Sequence, residues 1–318
     1  VAQKSDELLT RAREFIKEEK RDITYAYVGG SVGRGEADEY SDIDLTVYRN
    51  IEVPPTKTDI IFKGEIIQLE QLHIIELPNK SRIEASPWDF RFLLEISIIK
   101  DEGGTLNAIK TWAIDYFYSE IGRNKMMEHV SMIVRERRRF ALECVKQQHY
   151  YSATIAATGA WTEAGFLYLL YHYHSLANEH LIPRTQDLEV FHQFESVSPF
   201  KLDVNVSEVQ QIMSHFRKHL REKGYAFNDL FELHDRLCER KIQRLLNKKE
   251  YLNILFQMYS EALWLFLETS EGRSFETYYD HLPRDLQKGL TKIGFVPLDD
   301  NKVKEICRLS EELLSLSI

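Results

Sequence analysis

The spacing of apolar residues changes character once along the chain, near residues 122–124. Before that point, short alternating runs are mixed with helical ones. Over residues 6–20, Leu8, Leu9, Ala12, Phe15 and Ile16 recur at helical spacing, with Ser5 standing as the expected N-cap. Residues 25–28 predict a short strand that stops at Gly29-Gly30. Residues 42–48 alternate, with Ile43, Leu45 and Val47 on one face and Asp42, Asp44 and Thr46 on the other. A turn at Pro54-Pro55 precedes two strands over 58–62 and 65–75, joined as a hairpin around Lys63-Gly64. Residues 90–94 and 95–100 predict a short helix or turn and then a buried strand, and 105–119 a helix. Beyond residue 124 the strand signals fade. Helices are expected over 125–147, 151–181, 207–223, 227–246, 250–268 and 301–314, with Gly224 at a helix C-cap. The expected fold class is α+β: a small mixed β-sheet domain over residues 1–122, then an all-α helical-bundle domain over 123–318.

Composition narrows the functional classes. A 43% hydrophobic and 12% aromatic content belongs to a chain that folds, which excludes a disordered linker. No apolar run approaches the roughly 18 residues of a membrane span. The N-terminus lacks a charged-then-apolar signal pattern, and a start at Val1 without Met fits processing or trimming. Cys144, Cys238 and Cys307 are far apart and odd in number, as expected of buried thiols in a reducing cytoplasm and not of a disulfide framework or zinc knuckle. The net charge of −9 counts against a polynucleotide as main partner, because such binding rests on a basic face. It favours a neutral or cationic small acceptor.

The chemistry concentrates between Tyr27 and Tyr48. Gly29, Gly30, Gly33 and Gly35 follow a strand and let backbone amides approach phosphate oxygens without a Cβ in the way. Ser31 adds a hydroxyl and Arg34 a guanidinium. Asp42 and Asp44, one residue apart on a strand, project to one face, where hard oxygen ligands suit magnesium (Mg2+). No Gly-Lys-Ser/Thr follows the glycines, so this is not a P-loop, and their spacing does not fit a dinucleotide fingerprint. Gly30-Ser31-x-x-Arg34-Gly35 followed by Ser41-Asp42-Ile43-Asp44-Leu45 resembles the signature of the polymerase-β-like nucleotidyltransferase superfamily. The two-domain layout is similar to its antibiotic-modifying members of the aminoglycoside and lincosamide type. The resemblance implies nucleotide binding by Gly29, Gly30, Ser31, Arg34 and Ser41, and two metal ions held by Asp42, Asp44 and a third acid on a later strand. Glu65 and Glu70 are available for that place; Glu65 abuts the hairpin turn, and Glu70, deeper in the strand, is preferred. His73 falls on the opposite face and reads as structural.

The implied reaction moves a nucleoside monophosphate, AMP from ATP in the first instance, onto a hydroxyl of a small molecule such as an aminoglycoside-like antibiotic. Glu70 doubles as a base for that hydroxyl, and Glu143 and Glu163 are weaker choices from the helical domain. A protein or RNA acceptor, or a low-turnover nucleotide-sensing or antitoxin-type module, are the alternatives. Intact Asp42 and Asp44 speak against a dead site. A homodimer is allowed, and no membrane partner is expected. Other features read as structure: Arg135, Arg138 and Arg139 as a solvated helix face near Arg137, His215 and His219 as a pair lacking a third ligand, and His172 and His174 as non-convergent. The aromatics Trp161, Phe166, Tyr168, Tyr171 and Tyr173 read as core before acceptor pocket.

Overall fold

The computed structural model describes residues 2–19, 22–50, 54–201 and 205–317. The chain divides into two compact units, Val1–His129 and Val130–Ile318.

The first unit is built on a five-stranded mixed sheet. Helix α1 (Ala2–Glu19) leads into β1 (Ile23–Val28), a one-turn helix α2 (Gly30–Gly33), β2 (Ile43–Arg49), and the hairpin β3 (Thr56–Phe62) and β4 (Glu65–His73). Helix α3 (Lys80–Ala85), a 3-10 stretch (Pro87–Leu94), β5 (Ser97–Asp101) and α4 (Thr105–Tyr118) follow. The strand order is β3-β4-β2-β1-β5. β2 and β4 run parallel, and the other neighbours run antiparallel. The hairpin turn takes positive φ at both central residues, 49° at Lys63 and 89° at Gly64, as a two-residue connection requires. Lys63 also reaches Glu14 (3.1 Å) and Glu18 (2.7 Å) on α1, which fastens the turn to the helix.

One face of this sheet is the core. Leu8, Ala12 and Phe15 of α1 cover Ile43, Leu45 and Val47 of β2 and Ile67 and Leu69 of β4, all of them buried. Each of the leucine, isoleucine, valine and phenylalanine side chains contributes about 1.5–3 kcal/mol on burial. The apolar face of β2 is therefore locked inward, and its Asp44 face is left for chemistry. The expected Ser5 cap is corrected. α1 begins ahead of Ser5, whose buried hydroxyl accepts the Ala37 N–H at 3.0 Å and so pins the loop before β2. The expected helix end at Lys20 lies outside the described residues.

Among the described residues of the second unit every element is helical. α5 (Glu120–Lys146) runs through the division between the units and is followed by α6 (Tyr150–Tyr173), α7 (Leu181–Thr185), α8 (Glu189–Val197) and α9 (Val206–Glu222). Then come α10 (Glu232–Asn247), α11 (Tyr251–Thr269), α12 (Phe275–Asp280), α13 (Arg284–Lys292) and α14 (Asp300–Ser315). α6 is apolar on nearly all sides and packs against α14, as a central helix should. It ends earlier than residue 181 because His174 turns into the left-handed conformation (φ 51°). The helix expected from residue 227 starts at Glu232, after a 3-10 turn over Asn228–Leu230. Trp161 is buried and stacks on Phe194 with ring centroids 3.8 Å apart, which makes it core. Among the described residues no helix is long and apolar enough to cross a membrane.

Candidate active site

The glycine turn and β2 are joined by backbone. Gly29 donates its N–H to the Asp44 carbonyl at 2.8 Å, so the turn leaves β1 directly beside the second aspartate. Gly30 has φ +57°, and a Cβ built on it would lie 1.8 Å from Asp44 Oδ2. The Asp44 carboxylate thus rests on the bare Cα of Gly30, a contact no other residue type permits. Gly33 is equally constrained, since its Cβ would meet the carbonyl oxygens of Val28 at 2.5 Å and Glu95 at 2.6 Å. The first hydrogen-bonded turn of α2 begins with Gly33 N–H on the Gly29 carbonyl (2.7 Å), so the amides of Gly30 and Ser31 lie ahead of it.

The two serines have different places. Ser31 donates to Ser41 Oγ at 2.9 Å. Ser41 is buried; its oxygen also accepts the Asp38 N–H (3.0 Å), and its hydroxyl donates to Asp38 Oδ1 (3.2 Å). Ser41 therefore underpins the loop, and Ser31 is the one nearer the surface. Arg34 lies between two carboxylates, Glu36 (2.7 Å) and Glu95 (3.4 Å), which hold its guanidinium at the rim of the turn.

Asp42 and Asp44 come together on one side chain, Gln68 of β4. Asp44 is the register partner of Gln68, and Thr46 that of Glu70. With its amide nitrogen toward β2, Gln68 donates to Asp42 Oδ2 at 3.0 Å and to Asp44 Oδ1 at 3.1 Å. The opposite orientation would face its oxygen to both carboxylates and leave one longer bond, 3.4 Å to Asp59 Oδ1. Two carboxylates and an amide against a glycine backbone form an all-oxygen donor set once the amide turns. Such a set fits a hard divalent ion.

Glu70 lies on the same face one repeat further along. It accepts from Thr46 Oγ1 at 3.3 Å and lies 3.6 Å from Lys57 Nζ, so the structure brings Gln68, and not Glu70, onto the aspartate pair. Beneath Glu70 are Tyr27 and Tyr48. Burial pushes the Tyr27 hydroxyl up to about 12, and burial raises Tyr48 further, so both stay neutral phenols. Glu65 turns away and pairs with Lys4 of α1 at 3.0 Å. His73 caps a backbone turn by accepting the Ile75 N–H at 3.1 Å, which is the structural part expected of it.

Several charged residues of the helical segment pair with one another. Glu163 pairs with Arg137 at 2.9 Å, Arg138 with Glu311, and Glu143 with Lys146 at 3.3 Å. His215 lies 3.5 Å from Asp285, and His172 bonds the Leu316 carbonyl at 2.7 Å. Sequence reasoning missed a buried cluster of His234, Cys238 and Glu261, whose ligand atoms lie within 4.8 Å of one another. A fixed cation already fills it: the fully buried Arg217 donates to Cys238 Sγ at 2.8 Å, to Glu261 at 3.1 Å and to Asp235 at 3.0 Å. Burial pushes the Cys238 thiol up to about 12, so the cluster reads as an ion-paired core element. The three cysteines are free thiols.

Residues 9–104 match the family model of the nucleotidyltransferase domain, a segment that contains the glycine turn, both aspartates and Gln68. No curated protein matches the chain. Among solved structures the chain is similar to a nucleotidyltransferase-like protein from Exiguobacterium sibiricum 255-15. The identity is 14% over 90% of this chain and 89% of that one, at a TM-score of 0.35, a value that carries no argument about activity.

Proposed function

We propose that the chain, whose residues 9–104 match the nucleotidyltransferase domain, moves a nucleoside monophosphate from a magnesium-bound triphosphate, ATP in the first instance, onto a hydroxyl of a small molecule. The observation that carries this reading is the meeting of the Asp42 and Asp44 carboxylates at Gln68, with the Asp44 carboxylate seated against Gly30. Asp42 and Asp44 would hold a divalent ion there, and that ion would supply charge neutralisation for the triphosphate and electrophilic activation of its α-phosphorus. The amides of Gly30 and Ser31 and the Ser31 hydroxyl bind phosphate oxygens, while Ser41 fixes the rotamer of Ser31. Arg34, released from Glu36, neutralises the departing pyrophosphate. The acceptor oxygen bonds to phosphorus as the bond to pyrophosphate breaks, and its proton goes to Glu70, the next carboxylate on that face. The acidic stretch Glu36, Asp38 and Glu39 beside the turn suits a cationic acceptor of the aminoglycoside class. Free, buried thiols suit a cytoplasmic setting.

The test is pyrophosphate release from Mg-ATP against a panel of aminoglycosides, other hydroxylated small molecules, RNA and proteins. Release with a small molecule, at least about 1000-fold lower in Asp42→Ala and Asp44→Ala, is expected. Release with RNA or protein alone would reassign the acceptor. Nucleotide binding without release on any acceptor would make the domain a sensor.

A further inference from the structure

We propose that Gln68 is a third, uncharged ligand of the divalent-ion site, and that its amide turns over when the ion binds. This rests on the reading of Asp42 and Asp44 as the carboxylates of that site. The β2–β4 register sets Gln68 directly beside Asp44. The β3–β4 register sets Asp59 on its other side. In one orientation the amide nitrogen donates to Asp42 and Asp44, at 3.0 and 3.1 Å, and so bridges two like charges. In the reverse orientation the nitrogen reaches Asp59 Oδ1 at 3.4 Å, and the amide oxygen faces the aspartate pair. One side chain therefore has an acceptor waiting in each of two states. The first state suits an ion-free site and the second an ion-loaded one. A carboxylate at position 68 could fill only the second, because it has no N–H to hold the aspartates together.

Two consequences follow. The converging side chains carry two negative charges instead of three, so the ion is held weakly until the triphosphate adds its own oxygens. A single ion, in place of the two implied by the superfamily resemblance, is expected before nucleotide binds. Asp59 is a positioning residue, which acts by holding the Gln68 N–H in the loaded orientation.

The experiment is a nucleotide-free titration of the full chain with Mn2+, following free ion by electron paramagnetic resonance. Mg2+ addition to 15N-labelled protein would report the Gln68 side-chain amide in parallel. Expected are one Mn2+ per chain, binding tightened roughly tenfold or more in Gln68→Glu, weakened binding in Gln68→Leu and Asp59→Leu, and none in the double variant Asp42→Asn with Asp44→Asn. The Gln68 amide resonance should shift with Mg2+ in the parent chain and lose that shift in Asp59→Leu. Because Gln68→Glu is expected to gain affinity, misfolding cannot mimic it. Affinities within twofold of the parent in both Gln68 variants, or two ions bound without nucleotide, would overturn the inference and leave the aspartate site standing. Binding that survives loss of both aspartates would overturn the underlying reading itself.

Discussion

At Gly30 a single methyl group decides the site. The Cβ of an alanine would fall 1.8 Å from Asp44 Oδ2, and the φ of +57° is one that alanine enters only with strain. Gly30→Ala should displace the carboxylate and lower pyrophosphate release by about 100-fold, while circular dichroism and the melting profile stay near those of the parent. Release within a few-fold of the parent would mean the turn is remote from the reacting atoms. Ser41 acts on the loop instead. Removing its hydroxyl strips the Asp38 N–H of its acceptor, so Ser41→Ala should destabilise the first unit by about 1–3 kcal/mol in denaturant titration. At this scale the sequence was partly legible. Strict alternation in β2 put Asp42 and Asp44 opposite Ile43, Leu45 and Val47, and the core confirms that the apolar set faces inward. The partner of the aspartates was not legible, because Gln68 and Glu70 share a face and only the pairing register distinguishes them. Nor was the hold on Arg34, since Glu95 lies 61 residues away in sequence.

Among the elements, α9, α10 and α11 meet around one guanidinium. Arg217 stands in the apolar stripe Val209, Met213, Phe216 and Leu220 of α9 and binds Asp235, Cys238 and Glu261 on the neighbouring helices. Arg217→Ala would strip the part-buried Asp235 and Glu261 of their shared cation, a loss of about 3 kcal/mol in the stability of the helical unit, readable as a lowered denaturation midpoint. Burial alone would raise the Glu261 carboxyl. The hydrogen bond from His234 and the charges of Lys241, His234 and Arg217 outweigh it and hold the group well below the ordinary carboxylate range. A depressed folded-state value stabilises fully above the unfolded value of about 4.3 and is lost as pH falls below it. The melting temperature of the helical unit should therefore drop between about pH 5 and pH 3, and more steeply than in Glu261→Gln; equal slopes would remove Glu261 as the titrating group. An arginine inside an apolar stripe was a visible signal of this cluster, but its acidic partners, 18 and 44 residues onward, were not. Long periodic helices such as α11 were legible from their spacing alone. The one-turn and two-turn helices were not, because α3 and α12 contain six residues each, too few for a period to show.

For the molecule as a whole, the change from mixed strands to continuous helical patterns gave the order of architecture, because the period of burial differs between a half-covered sheet and a helix. Two compact units make a single two-state unfolding transition the wrong expectation. A ligand that binds one unit raises the stability of that unit alone, by about 2.7 kcal/mol when its concentration is 100 times its dissociation constant. For a unit the size of Val1–His129 this is a rise on the order of 10 °C in its transition. Calorimetry with Mg-ATP should therefore lift one transition and leave the other in place. ATP without a divalent ion should lift neither, since its phosphates would meet the negative charges of Asp42 and Asp44 with no ion between them, in a chain of net charge −9. Asp44→Asn should abolish the lift. If both transitions rise together, nucleotide binding is not confined to the first unit, and its glycine turn and aspartates are not the whole of the nucleotide site.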